Sequence, residues 1–323
     1  MCHKIKHMNL IDNSPLFRIE KLKKFKQKEL TKKQQNTYMV LMDYLRRQKN
    51  LSMYPYYERI LGKTSGQQAQ ILLTLSEYRL KNEKDIKSYF QLLKGLDGYF
   101  DSLIEYSKEQ VKRNLFLSDQ SLKEVLQQIQ NVIKQKENNM LVATFNLRIA
   151  DIKGINAAQK KKYCRENKKL IGTKVLPAYE KLYSHLQALN GNGKNENGLY
   201  YYKNGKEYYK VLVAQKTGSD KTIEEMIEIS DRSIEKCLRK LIKLQKKYPN
   251  IINEYRNHKK NIKIVQNPQN ILNKLRQKMV KYYPKAPKVS CKIKYVHKTM
   301  EEYTSPAFYM VPEIDSYKEN VIY

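Results

Sequence analysis

Gly198–Met226 reads GLYYYKNGKEYYKVLVAQKTGSDKTIEEM, and its punctuation decides the fold class. Asn204-Gly205 is a turn signal, and a helix is expected from Glu207 to Thr217. Gly218 is suited to the left-handed residue that closes a helix, because it has no Cβ to clash. Thr222 and Glu225 then form a capping box, each side chain satisfying the other's backbone amide at a helix start. The helix it opens carries Ile234, Leu238 and Leu241 and runs to about Lys247, where Pro249 stops it.

The same grammar holds on the N-terminal side. Thr31 and Gln34 make another capping box, followed by Tyr38, Leu41, Met42 and Leu45 at helical spacing. Ser65 is a candidate cap for a helix bearing Ile71, Leu72, Leu75 and Tyr78. From about Glu83 to Leu115 one long helix is expected. Ile86, Tyr89, Phe90, Leu93, Leu96, Phe100, Leu103 and Ile104 form its apolar stripe, with Gly95 and Gly98 as weak points. Ser118 caps the next helix, and a shorter one covers about Asn139 to Ala150. Asn156 starts a long pattern that must kink or break near Val175, because Pro177 lacks a backbone donor and crowds the preceding turn. The GNGKNENG loop that follows is polar and exposed, and Leu199–Tyr202 reads as a short strand.

Toward the C-terminus, Asn267-Pro268 opens a last helix, running to Tyr282. After Pro284 the pattern alternates. Ser290–His297, Ala307–Val311 and Asn320–Tyr323 read as strands. The fold class is therefore mainly α, with a small β region near the C-terminus. The expected organisation is a basic N-terminal segment (1–30), a helical body (31–283) and the β region (284–323).

With 63 Lys+Arg against 32 Asp+Glu, the formal charge is +31, a field that favours polyanions. A biased composition rich in Lys, Asn, Ile and Tyr explains the same charge without selection for a partner. The lysines are also spread through every segment rather than gathered in one stripe. No apolar run approaches the roughly 18 residues of a membrane span. The N-terminus has no apolar signal region, so a cytoplasmic location is the default.

Motifs for chemistry are few. None of His3, His7, His185, His258 and His297 is followed by Glu, so the helical zinc motif H-E-x-x-H is absent. His3 and His7 have i,i+4 spacing but no third ligand. Cys2, Cys164, Cys237 and Cys291 form no C-x-x-C pair, and Cys237 is expected as a buried thiol on an apolar helix face. No phosphate loop or nucleophile elbow is present. The carboxylates Glu224, Glu225 and Glu228 fit the ordinary role of offsetting a helix dipole. Tyr54-Tyr56-Tyr57, Tyr200–Tyr202 and Tyr208-Tyr209 alternate with lysines. Such tyrosines either stack nucleobases or fill helix interfaces, and the second reading is favoured because no nucleic-acid strand pattern accompanies them.

Several segments taken in order resemble the bacterial domain-of-unknown-function 885 family. They are Glu77-Tyr78 with Asp85, Phe90–Asp101 (FQLLKGLDGYFD), Leu117-Ser118-Asp119, and Pro177-Ala178-Tyr179 with Leu182. Gly198-Leu199, Gly205-Lys206-Glu207-Tyr208-Tyr209 and Thr217-Gly218-Ser219 form the most recognisable block. Ser305–Tyr309 and Asn320–Tyr323 complete the series, so that it spans about Lys28 to the end.

The family is similar to helical gluzincin peptidases such as thimet oligopeptidase and carboxypeptidase Taq. The resemblance implies a gluzincin-like helical body, with zinc and a peptide substrate belonging to the full-length family. The zinc-binding segment of that family lies beyond the strand resembling Asn320–Tyr323. No catalytic or metal-ligating residue can therefore be assigned here. The expectation is an inactive N-terminal portion whose partner is the C-terminal metallopeptidase segment. The alternative is a basic helical protein that binds nucleic acid or anionic surfaces. The resemblance also implies that Asn320, Val321 and Tyr323 lie on a substrate-holding edge strand; the equal alternative is an interior strand that only supports the sheet. Without covering elements, the apolar faces near Pro177 and Leu238 should lie partly bare.

Overall fold

The computed structural model describes residues 14–63, 65–193, 198–261, 267–284, 289–296, 307–311 and 319–322. The chain is mainly helical with a small C-terminal sheet and divides into two compact units, Met1–Asp220 and Lys221–Tyr323.

The first unit holds α1 (Pro15–Lys23), α2 (Lys32–Leu51), α3 (Gln67–Ser76), α4 (Glu83–Lys94) and α5 (Leu96–Lys112). It continues with α6 (Asp119–Lys134), α7 (Met140–Ala150), α8 (Ala157–Leu170), α9 (Leu176–Gln187) and α10 (Gly205–Thr217). The expected caps form as read. Thr31, Ser118 and Asn156 each accept a backbone N–H at the start of α2, α6 and α8. The cap of α3 differs: Gly66 occupies the position given to Ser65 and provides no side-chain bond.

The long helix expected from Glu83 is two helices. Gly95 ends α4 and begins α5, with ψ −3° in place of a continuing helical value. Glycine gains least from staying helical, so the break falls there. The stripe survives the break. Ile86, Tyr89, Phe90, Leu93, Leu96, Phe100, Leu103 and Ile104 are all buried. Tyr89 and Phe90 stack on Phe145 of α7, with centroids 5.3 and 5.6 Å apart.

Pro177 has the effect expected of it. Between α8 and α9, Ile171–Val175 widens into one π-helical stretch. A proline at 177 cannot donate to the carbonyl of Thr173, and the ladder relaxes into a looser turn. The face near Pro177 is not bare: Ala178, Tyr179, Leu182 and Leu186 are buried where α9 packs on α5 and α6.

Arg47 of α2 anchors α10. Its guanidinium donates to the carbonyls of Ala214 (3.1 Å) and Gly218 (3.2 Å), and pairs with Asp43 (2.8 Å) and Asp220 (2.9 Å). A cation at a helix C-terminus satisfies carbonyls that have no partner within the helix. Gly218 closes α10 with φ 66°, the left-handed conformation expected of it.

Burial makes this core sensitive to alkali. It pushes the Tyr89 phenol up to about 12, against a smaller opposing pull from Arg148. Unfolded tyrosine ionises near pH 10. The stabilisation is therefore complete below about pH 10 and is lost as pH rises toward about 12, as the unfolded state releases its proton first. Urea midpoints should hold steady to about pH 9.5 and then fall. Tyr89→Phe should lessen the fall, with buried Tyr179, whose phenol is also raised by burial, carrying part of the remainder.

The second unit holds α11 (Ile223–Lys247), α12 (Ile251–Asn261) and α13 (Pro268–Met279), then β1 (Ser290–Ile293), β2 (Tyr309–Met310) and β3 (Glu319–Ile322). The Thr222–Glu225 capping box is present at the start of α11. The sheet order is β1-β3-β2, with β1 parallel and β2 antiparallel to β3. α11 and α13 bury no residue. Leu238 is 52% exposed, as expected, whereas Cys237 is exposed rather than buried. The apolar side of α11 has no cover among the described residues, so lying on that side does not bury the thiol.

Candidate functional site

Three tyrosine clusters, the first about 145 residues before the other two, converge in the first unit. Tyr54 and Tyr57 come from the loop after α2. Tyr202 follows the turn at Gly198–Tyr201, and Tyr208 lies on α10. Ring centroids are 5.4 Å apart for Tyr54–Tyr57, 4.9 Å for Tyr57–Tyr208 and 5.9 Å for Tyr57–Tyr202. Tyr56, from the same loop, and Tyr106 of α5 add a fifth and a sixth ring, with centroids 5.0 Å apart. These rings wall a cavity of about 1030 Å³, large enough for a drug-sized ligand.

The walls are held from behind. Tyr202 donates its hydroxyl to the Leu115 carbonyl at 2.8 Å, and Tyr57 donates to the Lys203 carbonyl. The buried Gln110 amide donates to the carbonyls of Tyr56 (2.8 Å) and Glu58 (3.1 Å), fixing the loop that carries the first cluster. Desolvation raises the phenols of Tyr57, Tyr106 and Tyr208 above their ordinary range. All three are neutral at physiological pH. They act as donors and stacking surfaces, not as bases.

Gly198–Tyr201 is a 3-10 turn, not the strand expected near Tyr200. Tyr200 and Tyr201 point outward, 66% and 61% exposed, while Tyr202 turns in. A tight turn divides a tyrosine run between two sides; a strand would have alternated it. Gly198, Leu199, Tyr208, Leu117 and Ser118 all line the cavity and all belong to segments that carried the family resemblance. Asp119, beside them, has its own task. Its carboxylate accepts the backbone N–H groups of Gly191 (3.0 Å) and Gly193 (3.1 Å), tying the glycine loop to the start of α6.

The residues picked out on the C-terminal strand lie elsewhere, in the second unit. β3 is the middle strand of its sheet, so the edge geometry expected of Asn320 and Val321 is not what residues 319–322 adopt. Strand order depends on pairing across long separations, which local alternation does not encode. Asn320 is buried; its amide donates to the Ser290 carbonyl at 3.3 Å and its oxygen accepts from the Tyr309 hydroxyl. Val321 is half-buried, and Tyr323 lies outside the described residues.

His185 is exposed on α9, with Nδ1 2.9 Å from the Lys181 carbonyl, and His258 is exposed on α12; His3, His7 and His297 lie outside the described residues. Among the described residues no three His, Cys, Asp or Glu side chains are grouped to hold a metal. None of the described helices is long and apolar enough to cross a membrane.

Residues 17–323 match the family model described as "Bacterial protein of unknown function (DUF885)", and the chain belongs to that family. No curated protein matches it. Its fold is similar to the crystal structure of a protein from Colwellia psychrerythraea described as a candidate lipoprotein. The TM-score is 0.71 at 14% identity, over 95% of this chain and 57% of that one. The chain thus spans little more than half the length of that structural relative.

Proposed function

We propose that this chain is the N-terminal helical part of a zinc-metallopeptidase-like protein and has no hydrolytic activity of its own. One observation carries the reading: the family match runs along nearly the whole chain, yet none of five histidines is followed by Glu. Catalytic zinc requires three protein ligands and an open position, normally with an acidic general base beside it. The gluzincin relationship comes from the sequence resemblance. The span of 57% on the structural relative is compatible with a share of a larger fold. What the chain contributes is scaffold and a tyrosine-walled cavity, whose rim also carries Glu58, Arg59 and Lys216.

The untagged, purified chain should contain no stoichiometric zinc by elemental analysis and should cleave no peptide from a broad fluorogenic library. Stoichiometric zinc with chelator-sensitive cleavage would overturn the proposal. Salt-dependent retention on DNA, exceeding that of charge-matched controls, would instead favour a basic nucleic-acid-binding protein.

A further inference from the structure

We propose that α11 is a self-association helix, pairing antiparallel with α11 of a second copy of this chain. Its 25 residues span about 37 Å. Ile223, Ile227, Ser230, Ile234, Cys237, Leu241, Leu244 and Tyr248 recur at alternating steps of four and three. That is a heptad seam, with Ile227, Ile234 and Leu241 in one set of core positions and Cys237 and Leu244 in the other. The seam is open. Ile227 is 55% exposed, Ile234 57%, Leu241 54% and Leu244 43%. A helix of this amphipathicity is stable only when the apolar stripe is covered.

Charge selects the occupant. From Ile223 to Glu235 the helix carries five carboxylates (Glu224, Glu225, Glu228, Asp231, Glu235) against Arg232 alone. From Lys236 to Lys247 it carries six bases (Lys236, Arg239, Lys240, Lys243, Lys246, Lys247) and no acid. Helix-dipole compensation accounts for charges in the first and last turns only; here the polarity runs the full length. A parallel pair would set like halves together. An antiparallel pair, with its two-fold axis beside Glu235 and Lys236, sets each acidic half on a basic half. Ile234 then meets the second copy's Cys237, and Ile227 meets its Leu244. The interface is isologous and closes as a dimer. The chain's overall +31 opposes association, but at 0.15 M salt the Debye length is about 8 Å, so charges across the seam outweigh distant ones.

Sedimentation of the full chain at about 0.15 M salt should show a concentration-dependent dimer. Leu241→Asp buries an unpaired charge in the seam and should weaken dimerisation by roughly 100-fold or more. Because Leu241 is solvent-exposed in the single chain, its circular dichroism should be unchanged. Lys240→Glu with Lys243→Glu should weaken the dimer as well. Orientation is read by mild oxidation in a Cys237→Ser background. The pair Ile227→Cys and Leu244→Cys should link 227 to the second copy's 244 in the antiparallel arrangement. A monomer at every concentration, a dimer indifferent to Leu241→Asp, or 227–227 links would each overturn the proposal. So would a stripe that becomes protected only when the remaining part of the family fold is supplied in trans.

Discussion

Tyr179→Ala should cost the first unit about 3–5 kcal/mol, the range for deleting a buried aromatic side chain. That is a large part of the 5–15 kcal/mol typical of a whole domain. Tyr179 is 0% exposed, and its ring stands edge-on to Phe100 with centroids 4.7 Å apart. Its hydroxyl donates to the Gln68 carbonyl at 2.7 Å. The Gln68 amide in turn donates to the Gly62 carbonyl at 2.6 Å and to Oε1 of Gln128 at 2.8 Å. The Gln128 amide donates to the Lys63 carbonyl at 3.1 Å. One side chain on α9 therefore fills the core and meets a polar network that joins α3, α6 and the loop between α2 and α3. Tyr179→Phe keeps the packing and removes only the hydroxyl, so about 1–3 kcal/mol should be lost. Urea titration followed by far-ultraviolet circular dichroism separates the two variants. If Tyr179→Ala shifts the transition by less than Tyr179→Phe is expected to, Tyr179 is not the centre of this core.

Much of that core can be read in the sequence because its signals are local. The capping boxes at Thr31 and Thr222 need only three residues of context, and the structure forms both. The stripe from Ile86 to Ile104 was legible although the helix under it breaks, since a bend at Gly95 leaves both segments facing the same core. Pro177 disclosed the break but not its form, a π-helical stretch that spares the burial of Ile171 and Val175. What failed was non-local. Three tyrosine clusters reached the cavity because α10 packs on α2, which no window of sequence contains. The middle position of β3 is set by β1, which begins 29 positions earlier in the register. Cys237 was misread for the same reason: periodicity identifies an apolar side but not what, if anything, lies against it.

Gly205→Ala should disrupt the turn that brings Tyr202 into the cavity, with a loss of roughly 1–3 kcal/mol or more. Gly205 is the first residue of α10 and is buried. A Cβ built there would lie 1.7 Å from the Leu199 carbonyl oxygen and 2.9 Å from its carbon, far inside any real contact. The neighbour is backbone, so no rotamer change relieves it. The same carbonyl accepts the Tyr202 N–H at 3.1 Å, and the Tyr202 carbonyl accepts the Gly205 N–H at 2.9 Å. Moving Leu199 away must therefore open both bonds and draw the Tyr202 ring from Tyr57 and the Leu115 carbonyl. Near-ultraviolet circular dichroism, which reports fixed tyrosine rings and meets no tryptophan here, should lose intensity. Gly154→Ala is the control. Its φ of +81° makes any side chain strained, but nothing lies within 4 Å of the new Cβ. It should cost about 1 kcal/mol and leave the tyrosine signal intact. Equal stability loss and equal spectra for the two variants would mean that the Leu199 backbone moves aside without disturbing the cavity wall. A selective loss of the tyrosine signal in Gly205→Ala would show that this glycine is there to let Leu199 pass, and that the cavity wall depends on the approach.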